Sequence, residues 1–444
     1  MKISRRSINI IIISIYLLTL FCGIGKFVES NLLDQIRKAL MIGLPLIMNC
    51  SFIIDNIKNI DALKKYKYYL IFIGLNIFWY ILTIIFGINI GTQSITGIVN
   101  FVDIIVLLFF ISKVELKEDE KKQIVDSIIY SAIIAMVYGI LQYIFKFDLN
   151  TFANEKYPGI NGRIPGTFYL PTLFDKYSVI IYILVLSKLY KDNSLKNILF
   201  AILVSTNIVL TFSRSGLISL IIILIIFVIK SIIDKKYTNL GLPVITFLIA
   251  FLIPGFIYSF QSIVNYGYSK LHIPEKLQIS LVNQDSSKEV TDISDDHSIN
   301  DRNYYNNIGL EFIKERPLFG VGLNNYSYLY NNQNANLYLK DTSVLKDKDY
   351  IYPHSGYIMI AAEIGIIGAF ILYAYICHIC FDSFKNKNYL PLLILGVFLL
   401  GNYTENLVSN KQYMYIFILI YGILCNNIIK KKWFYEIKCN STCI

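Results

Sequence analysis

Four residues of this chain combine a reactive side chain with a placement that asks for a chemical reason. Arg163 lies in Gly162-Arg163-Ile164-Pro165-Gly166-Thr167-Phe168, Arg214 in Thr211-Phe212-Ser213-Arg214-Ser215-Gly216, Arg302 opens a helix-patterned run in a polar interval, and His354 stands in Tyr352-Pro353-His354-Ser355-Gly356. Arg214 interrupts two apolar segments that otherwise run from about 197 to 233. An arginine at membrane depth is costly unless it faces protein, water or an anion. Two roles fit it: a tight turn whose arginine reaches the lipid headgroups, or a clamp for an anion, because a guanidinium offers forked donors that suit a phosphate. Arg163 and Arg302, each alone, read equally well as solvated loop arginines. His354 follows a proline at what reads as a helix start, a setting that favours a neutral imidazole able to take a proton from a hydroxyl. An interfacial imidazole bonded to a loop carbonyl is the other reading.

The elements that must carry these groups are apolar. Of the 444 residues 55% are hydrophobic and 16% charged, against about 25% charged in soluble domains, and the mean hydropathy is +0.53. An ordinary soluble protein is excluded. A crossing helix needs about 20 apolar residues, and stretches of that kind occur at approximately 8–28, 36–54, 69–90, 94–112, 124–145, 172–189, 197–212, 216–233, 241–260, 354–380, 389–408 and 412–429. The expected fold is an all-α membrane protein of about 12 transmembrane helices with one long extracytoplasmic loop containing short helices. It divides into residues 1–260 with helices 1–9, the loop 261–353, and 354–444 with helices 10–12 and a basic cytoplasmic tail. The first apolar stretch lacks a small-residue cleavage site at Phe21-Cys22-Gly23 and reads as a retained anchor. The formal net charge is +10, yet the lysines cluster between apolar stretches, where topology explains them and nucleic acid is not needed as a partner. With the N-terminus inside, 23 basic residues fall on inner segments, among them Lys64, Lys65, Lys67 and Lys430, and nine on short outer ones. The positive-inside bias therefore puts both termini in the cytoplasm. The two large outer segments, about 146–171 and 261–353, are where function is expected. The second reads as helical from Tyr304 to Arg316, with Tyr305, Ile308 and Phe312 at helical spacing and Pro317 ending the run.

Other groups are weaker. Glu363 lies nine positions after His354, about half a turn out of phase on one straight helix, but a carboxylate inside a span is a functional candidate by default, as is Asp103. Asp292, Asp295, Asp296 and Asp301 lack the spacing of a calcium loop. Cys377-His378-Ile379-Cys380 with Cys439 and Cys443 has zinc-type ligands, but cysteines three apart on an apolar helix more often simply pack. No metal site or cofactor is expected. Tyr326, Tyr328, Tyr330, Tyr338, Tyr350 and Tyr352 read either as stacking surfaces for sugar rings or as an interfacial aromatic belt.

The pieces together resemble the O-antigen ligase and O-antigen polymerase superfamily of bacterial polytopic membrane proteins. The resemblance rests on Gly-Arg-x-x-Gly-Thr-Phe at 162–168, Thr-x-Ser-Arg-Ser-Gly at 211–216, Arg302 followed by Arg-Pro-Leu-Phe-Gly-Val-Gly at 316–322, and Pro-His-Ser at 353–355 leading to Ala-Glu-Ile-Gly-Ile-Ile-Gly at 362–368, in that order. It differs where the family commonly has Asn after the histidine, here Ser355, and Trp after the loop arginine, here Tyr304 and Tyr305. The resemblance implies a metal-independent glycosyltransferase in the cytoplasmic (inner) membrane that moves a glycan from an undecaprenyl-diphosphate carrier to an acceptor glycan or glycolipid hydroxyl on the outer face. It would make His354, Arg214 and Arg302 catalytic, and Arg163, Glu363 and Tyr352 substrate-binding. The partners would be the lipid-linked glycan, the acceptor and the bilayer, and the motifs are shared by ligases and polymerases. The competing class is a transporter or flippase for a lipid-linked oligosaccharide, which asks for internal repeats and broken spans at mid-membrane; no clear repeat is visible.

Overall fold

The structure is a computed structural model that describes residues 1–24, 31–57, 64–87, 91–145, 163–168, 170–235, 241–270, 296–326, 352–385 and 388–426. Helices dominate, and none of the described residues lies in a strand. In chain order they are α1 (Arg5–Ile24), α2 (Asn31–Asn56), α3 (Lys67–Ile85), α4 (Thr92–Lys113), α5 (Glu118–Phe145), α6 (Pro171–Leu189), α7 (Leu195–Leu210), α8 (Arg214–Ile233), α9 (Gly241–Lys270), α10 (Asp296–Glu315), α11 (Gly356–Lys385), α12 (Leu390–Thr404) and α13 (Lys411–Cys425). Every apolar stretch of the sequence carries a helix. Among the described residues six are long and apolar enough to cross a membrane: Gln35–Asn56, Lys67–Ile85, Ser94–Lys113, Glu118–Ile144, Arg214–Ile233 and Gly356–Lys385. α7, the Gly241–Gly255 part of α9, α12 and α13 are apolar but shorter.

Burial sorts these helices into inner and outer ones. A helix apolar on all sides belongs inside a bundle, and α13 has every residue from Gln412 to Cys425 buried; α6 is nearly as enclosed. α8 is the opposite case. Its Ile218, Ile222, Ile225, Ile229 and Ile232 are exposed at three- and four-residue intervals, an apolar stripe that fits lipid rather than water. Inside, small polar side chains return their hydrogens to their own helix, as when Ser178 Oγ donates to Phe174 O at 2.6 Å and Ser187 Oγ to Ile183 O at 2.8 Å. That is what an interior without water requires. Asp103 is likewise absorbed into packing: Asn49 Nδ2 donates to its backbone oxygen at 3.1 Å and to Oδ1 at 3.3 Å.

The polar interval contributes one described helix, α10, whose Ile308 and Phe312 are buried beside Val321, Tyr326, Met359 and Ala362, with Tyr305 packed on that cluster. The helix-patterned run thus lies over the start of α11, and it begins eight residues before the expected Tyr304. After it, residues 316–326 turn inward and lean on α11. There α11 is interrupted: Gly365 has φ 73° and ψ 168°, a conformation open essentially to glycine alone. The backbone groups freed by that break are taken up by the turn, with Ile366 N donating to Pro317 O, Val321 N to Ala362 O and Gly322 N to Glu363 O, each at 2.9 Å. From the other side Trp79 Nε1 donates to Ile364 O at 2.8 Å and its ring stacks on Phe319. Trp79→Phe keeps the stack and removes the bond, worth about 1 kcal/mol. Amide exchange of the 317–322 turn is expected to quicken about fivefold; unchanged exchange would show that the bond does not hold the break.

The two ends of the described chain meet. Glu115 N donates to Met1 O at 2.7 Å, Asn426 Nδ2 donates to Ile111 O at 3.0 Å and also bonds Val114 O, and Lys121 Nζ donates to Asn426 O at 3.0 Å. At the other end of α13, about 21 Å away at 1.5 Å per residue, Gln412 Nε2 donates to Leu18 O at 2.9 Å and to Thr167 O at 3.3 Å.

Candidate active site

The Thr167 end of the bundle lies near the candidate groups. Arg302, on the second turn of α10, reaches the C-terminus of α12: Nη1 donates to Thr404 O at 3.3 Å and Nη2 to Glu405 Oε1 at 3.0 Å. The other oxygen of the same carboxylate, Oε2, lies 3.8 Å from His354 Nδ1. That exceeds a hydrogen bond, and the contact is made on the Nδ1 side of the ring, leaving Nε2 for a second partner. Glu405 is 7% exposed. Its own N–H donates to Gly401 O at 2.9 Å, ending α12.

His354 is placed by the crossing of α10 over the start of α11. Ser355 N donates to Asn306 Oδ1 at 3.1 Å, and the Tyr305 ring sits 6.0 Å from the imidazole. Gly309 makes the crossing close, since a Cβ there would come within 2.4 Å of Ile358 Cγ2 and 3.0 Å of Pro353 Cγ. Arg302 and Asn306 are one turn apart on this helix, so a single rigid element presents the arginine to Glu405 and pins the residue next to the histidine.

Arg163 lies in the segment before α6. Its Nε donates to Thr211 O at 2.7 Å. Burial pushes its guanidinium below the usual value; Glu405 and Asp175 oppose that shift and Arg302 adds to it. Glu405 thus bonds Arg302, lies 3.8 Å from His354 Nδ1 and acts through its charge on Arg163. Arg214 makes no hydrogen bond or ion pair with Glu405, Arg302 or His354. It is the first residue of α8, exposed, in the turn whose Thr211 carbonyl holds Arg163. That turn is tight: Phe212 adopts φ 48°, uncommon for a residue with a Cβ, and Ser213 caps α8 by accepting from Gly216 N at 3.3 Å. The N-terminus of α8, carrying Arg214, thus opens toward the same end of the bundle, where helix amides and dipole favour an anion.

The two other expected substrate contacts sit elsewhere. Glu363 is 3% exposed and accepts hydrogen bonds from the backbone N–H groups of Asn324 and Tyr326, so it ties the 316–326 turn to α11 from below. Tyr352 stacks at 6.5 Å on Tyr326 and packs on the Ile308–Phe312 cluster. Tyr328, Tyr330, Tyr338, Tyr350, Asp292, Asp295, Cys439 and Cys443 lie outside the described residues, as do most of 146–171 and the side chains of Asp296 and Asp301. Among the described residues no group of three His, Cys, Asp or Glu side chains is arranged to hold a metal ion; Cys380 instead meets Cys425, and Cys377 is exposed.

Sequence reasoning passed over Glu405, Asp175 and Lys176. A signal was present in each case. Asn402-Tyr403-Thr404-Glu405-Asn406 is a polar run closing an apolar stretch, and Asp175-Lys176 are charges inside one, both of which mark functional sites in membrane proteins.

Comparison with known families bears on the same stretch of chain. Residues 199–373 match the O-Antigen ligase family model. The match contains Arg214, Arg302, His354 and Glu363, while Arg163, Asp175, Lys176 and Glu405 lie beyond it. The superfamily resemblance carried by the motifs is borne out over that stretch, which is similar to an O-antigen ligase domain, in a chain with several helices long and apolar enough to cross a membrane. No curated protein matches it.

Proposed function

We propose that the chain is a membrane glycosyltransferase that moves a glycan from an undecaprenyl-diphosphate carrier to an acceptor hydroxyl on the outer face of the cytoplasmic membrane. One observation carries the reading: Arg302 and His354, far apart in sequence, meet on the two oxygens of Glu405, with Arg163 in the same field. The acceptor oxygen attacks the anomeric carbon, its proton passes to His354 Nε2, and the bond from that carbon to the diphosphate oxygen breaks with its electron pair going to the leaving group. Charge develops on the diphosphate, and preorganised guanidinium groups stabilise it more than they stabilise the substrate. Arg302 and Arg214 supply that charge, and Arg163 is a further glycan or phosphate contact. Glu405 stands behind the imidazole, with Oε2 3.8 Å from Nδ1, the place a carboxylate takes behind a catalytic histidine. These roles call on no metal or cofactor. Glu363 and Tyr352 support the 316–326 turn and the α10 cluster that pack on α11.

The positive-inside count puts both termini in the cytoplasm and the Glu405 end outside. Met1 and Asn426 both bond within residues 111–121, at the far end of α13 from Gln412, which agrees with the two lying on one face. His354→Ala and Arg214→Ala are each expected to abolish surface polysaccharide on a gel profile while protein level and membrane insertion stay normal. Unchanged glycan in both would end the reading. In a deletion strain, accumulated carrier-linked long chains would mark a ligase, and loss of the length ladder with one unit retained a polymerase.

A further inference from the structure

Beneath the arginine turn lies an ion pair to which the scheme above gives no part. Asp175 and Lys176, in the first turns of α6, are 0% and 1% exposed, and Lys176 Nζ is 3.1 Å from Asp175 Oδ2. The lysine also donates to Ser215 Oγ at 2.6 Å. Ser215 follows Arg214 directly, and its hydroxyl is 3.1 Å from that of Ser213, the cap of α8. Gly216 lets the carboxylate press against this turn: a Cβ there would fall 1.7 Å from Asp175 Oδ1 and 2.3 Å from its Cγ.

The pair reaches further. Asp175 acts electrostatically on Arg163, whose Nε holds Thr211 at the start of the same turn. The stem of Lys176 lies along α12, with Cδ 3.2 Å and Cε 3.5 Å from where a Cβ on Gly401 would be, and Gly401 O accepts the N–H of Glu405. Two adjacent residues thus touch the Arg214 turn and the end of α12 that carries Glu405, and act on Arg163 through charge. Stability alone does not account for them, since buried ion pairs are commonly no more stabilising than well-packed apolar residues of similar size.

Resting on the glycosyltransferase reading, we propose that Asp175 and Lys176 are positioning residues that fix the first turn of α8 against α12, so that Arg214 and Arg163 face the same diphosphate. Ser215, on the α8 turn, makes none of the contacts that place His354 on the acceptor side.

The test uses Ser215→Ala, which leaves the ion pair intact, and Lys176→Met, each reconstituted in lipid with an undecaprenyl-diphosphate-linked glycan and an acceptor glycolipid. Losing one charge-assisted hydrogen bond corresponds to about tenfold, so the donor KM is expected to rise about tenfold in Ser215→Ala with the acceptor KM unchanged, and more in Lys176→Met. General destabilisation would lower the active fraction and move neither KM. Amide exchange over residues 212–216, measured on the same samples, is expected to quicken about tenfold. Unaltered exchange in both variants, or quickened exchange with an unaltered donor KM, overturns the proposal. If the unmodified protein transfers no glycan, the glycosyltransferase reading falls by itself, and exchange at 212–216 still decides whether the pair holds the turn.

Discussion

Arg302→Ala should lower glycan transfer by about 10²–10³-fold, the loss that follows removal of one preorganised donor from a developing anion, while the protein still folds. The two halves of that expectation come from different features of one side chain. The Arg302 side chain is 36% exposed where it meets Glu405, itself 9% exposed, and an ion pair with one partner open to solvent contributes about 1 kcal/mol to stability. Detergent-solubilised yield should therefore stay near that of the unmodified protein. Catalysis is another matter, because the guanidinium has donors beyond the two given to Thr404 O and Glu405 Oε1, and these would face the leaving group. Arg302→Lys keeps the charge but not the planar fork, and is expected to recover only a minor part of the rate. Glu405→Gln separates an electrostatic part from a merely structural one: it removes the charge behind His354 while leaving an amide that can still bond to Arg302, and should cost about tenfold. Initial rates on a reconstituted donor and acceptor measure all three. An Arg302→Ala protein that transfers as fast as the unmodified one would remove the arginine from the mechanism.

Gly365→Ala is expected to do more damage to the fold than any substitution in the charged cluster. An alanine at φ 73° and ψ 168° is strained by about 1–3 kcal/mol. Its Cβ would meet Leu318 O at 1.8 Å and Leu318 C at 2.3 Å, backbone atoms with no rotamer by which to withdraw. Relief requires the 317–322 turn to lift off α11, giving up the bonds from Ile366, Val321 and Gly322, each at 2.9 Å and each worth about 1 kcal/mol. A total of about 4 kcal/mol or more is a large part of a typical folding free energy. Loss of folded protein at growth temperature should follow, with a lower thermal midpoint in detergent for whatever folds. Gly396→Ala is the control: it lies within α12 with open space around its added methyl, and should be neutral or stabilising by about 0.5–1 kcal/mol. If the two variants melt alike, the break at Gly365 does not hold the turn.

The same glycine shows where sequence reading stops. Ala-Glu-Ile-Gly-Ile-Ile-Gly at 362–368 reads as uninterrupted apolar helix, and nothing local distinguishes a helical glycine from one at positive φ. Only the arrival of Arg316–Gly322, some 45 residues earlier in the chain, requires the break. Glu363 is a related case. Its half-turn offset from His354 along α11 already argued against a shared target, and the turn then supplies its partners, the amides of Asn324 and Tyr326.

What the sequence determined by itself is whatever depends on neighbours along the chain. Hydropathy over about 20 residues places the apolar helices, the spacing of Ile308 and Phe312 predicts α10, and motifs at 162–168, 211–216, 316–322 and 353–355 carry the O-antigen ligase resemblance. Tertiary structure decided which of these groups meet. Arg302 and Glu405 are 103 positions apart, Lys176 and Ser215 39, and Trp79 and Ile364 285. In a nearly anhydrous interior each buried polar group must find a partner, but many assignments satisfy that demand on paper, and the packing of α6, α8, α10 and α12 at one end of the bundle selects the one that occurs.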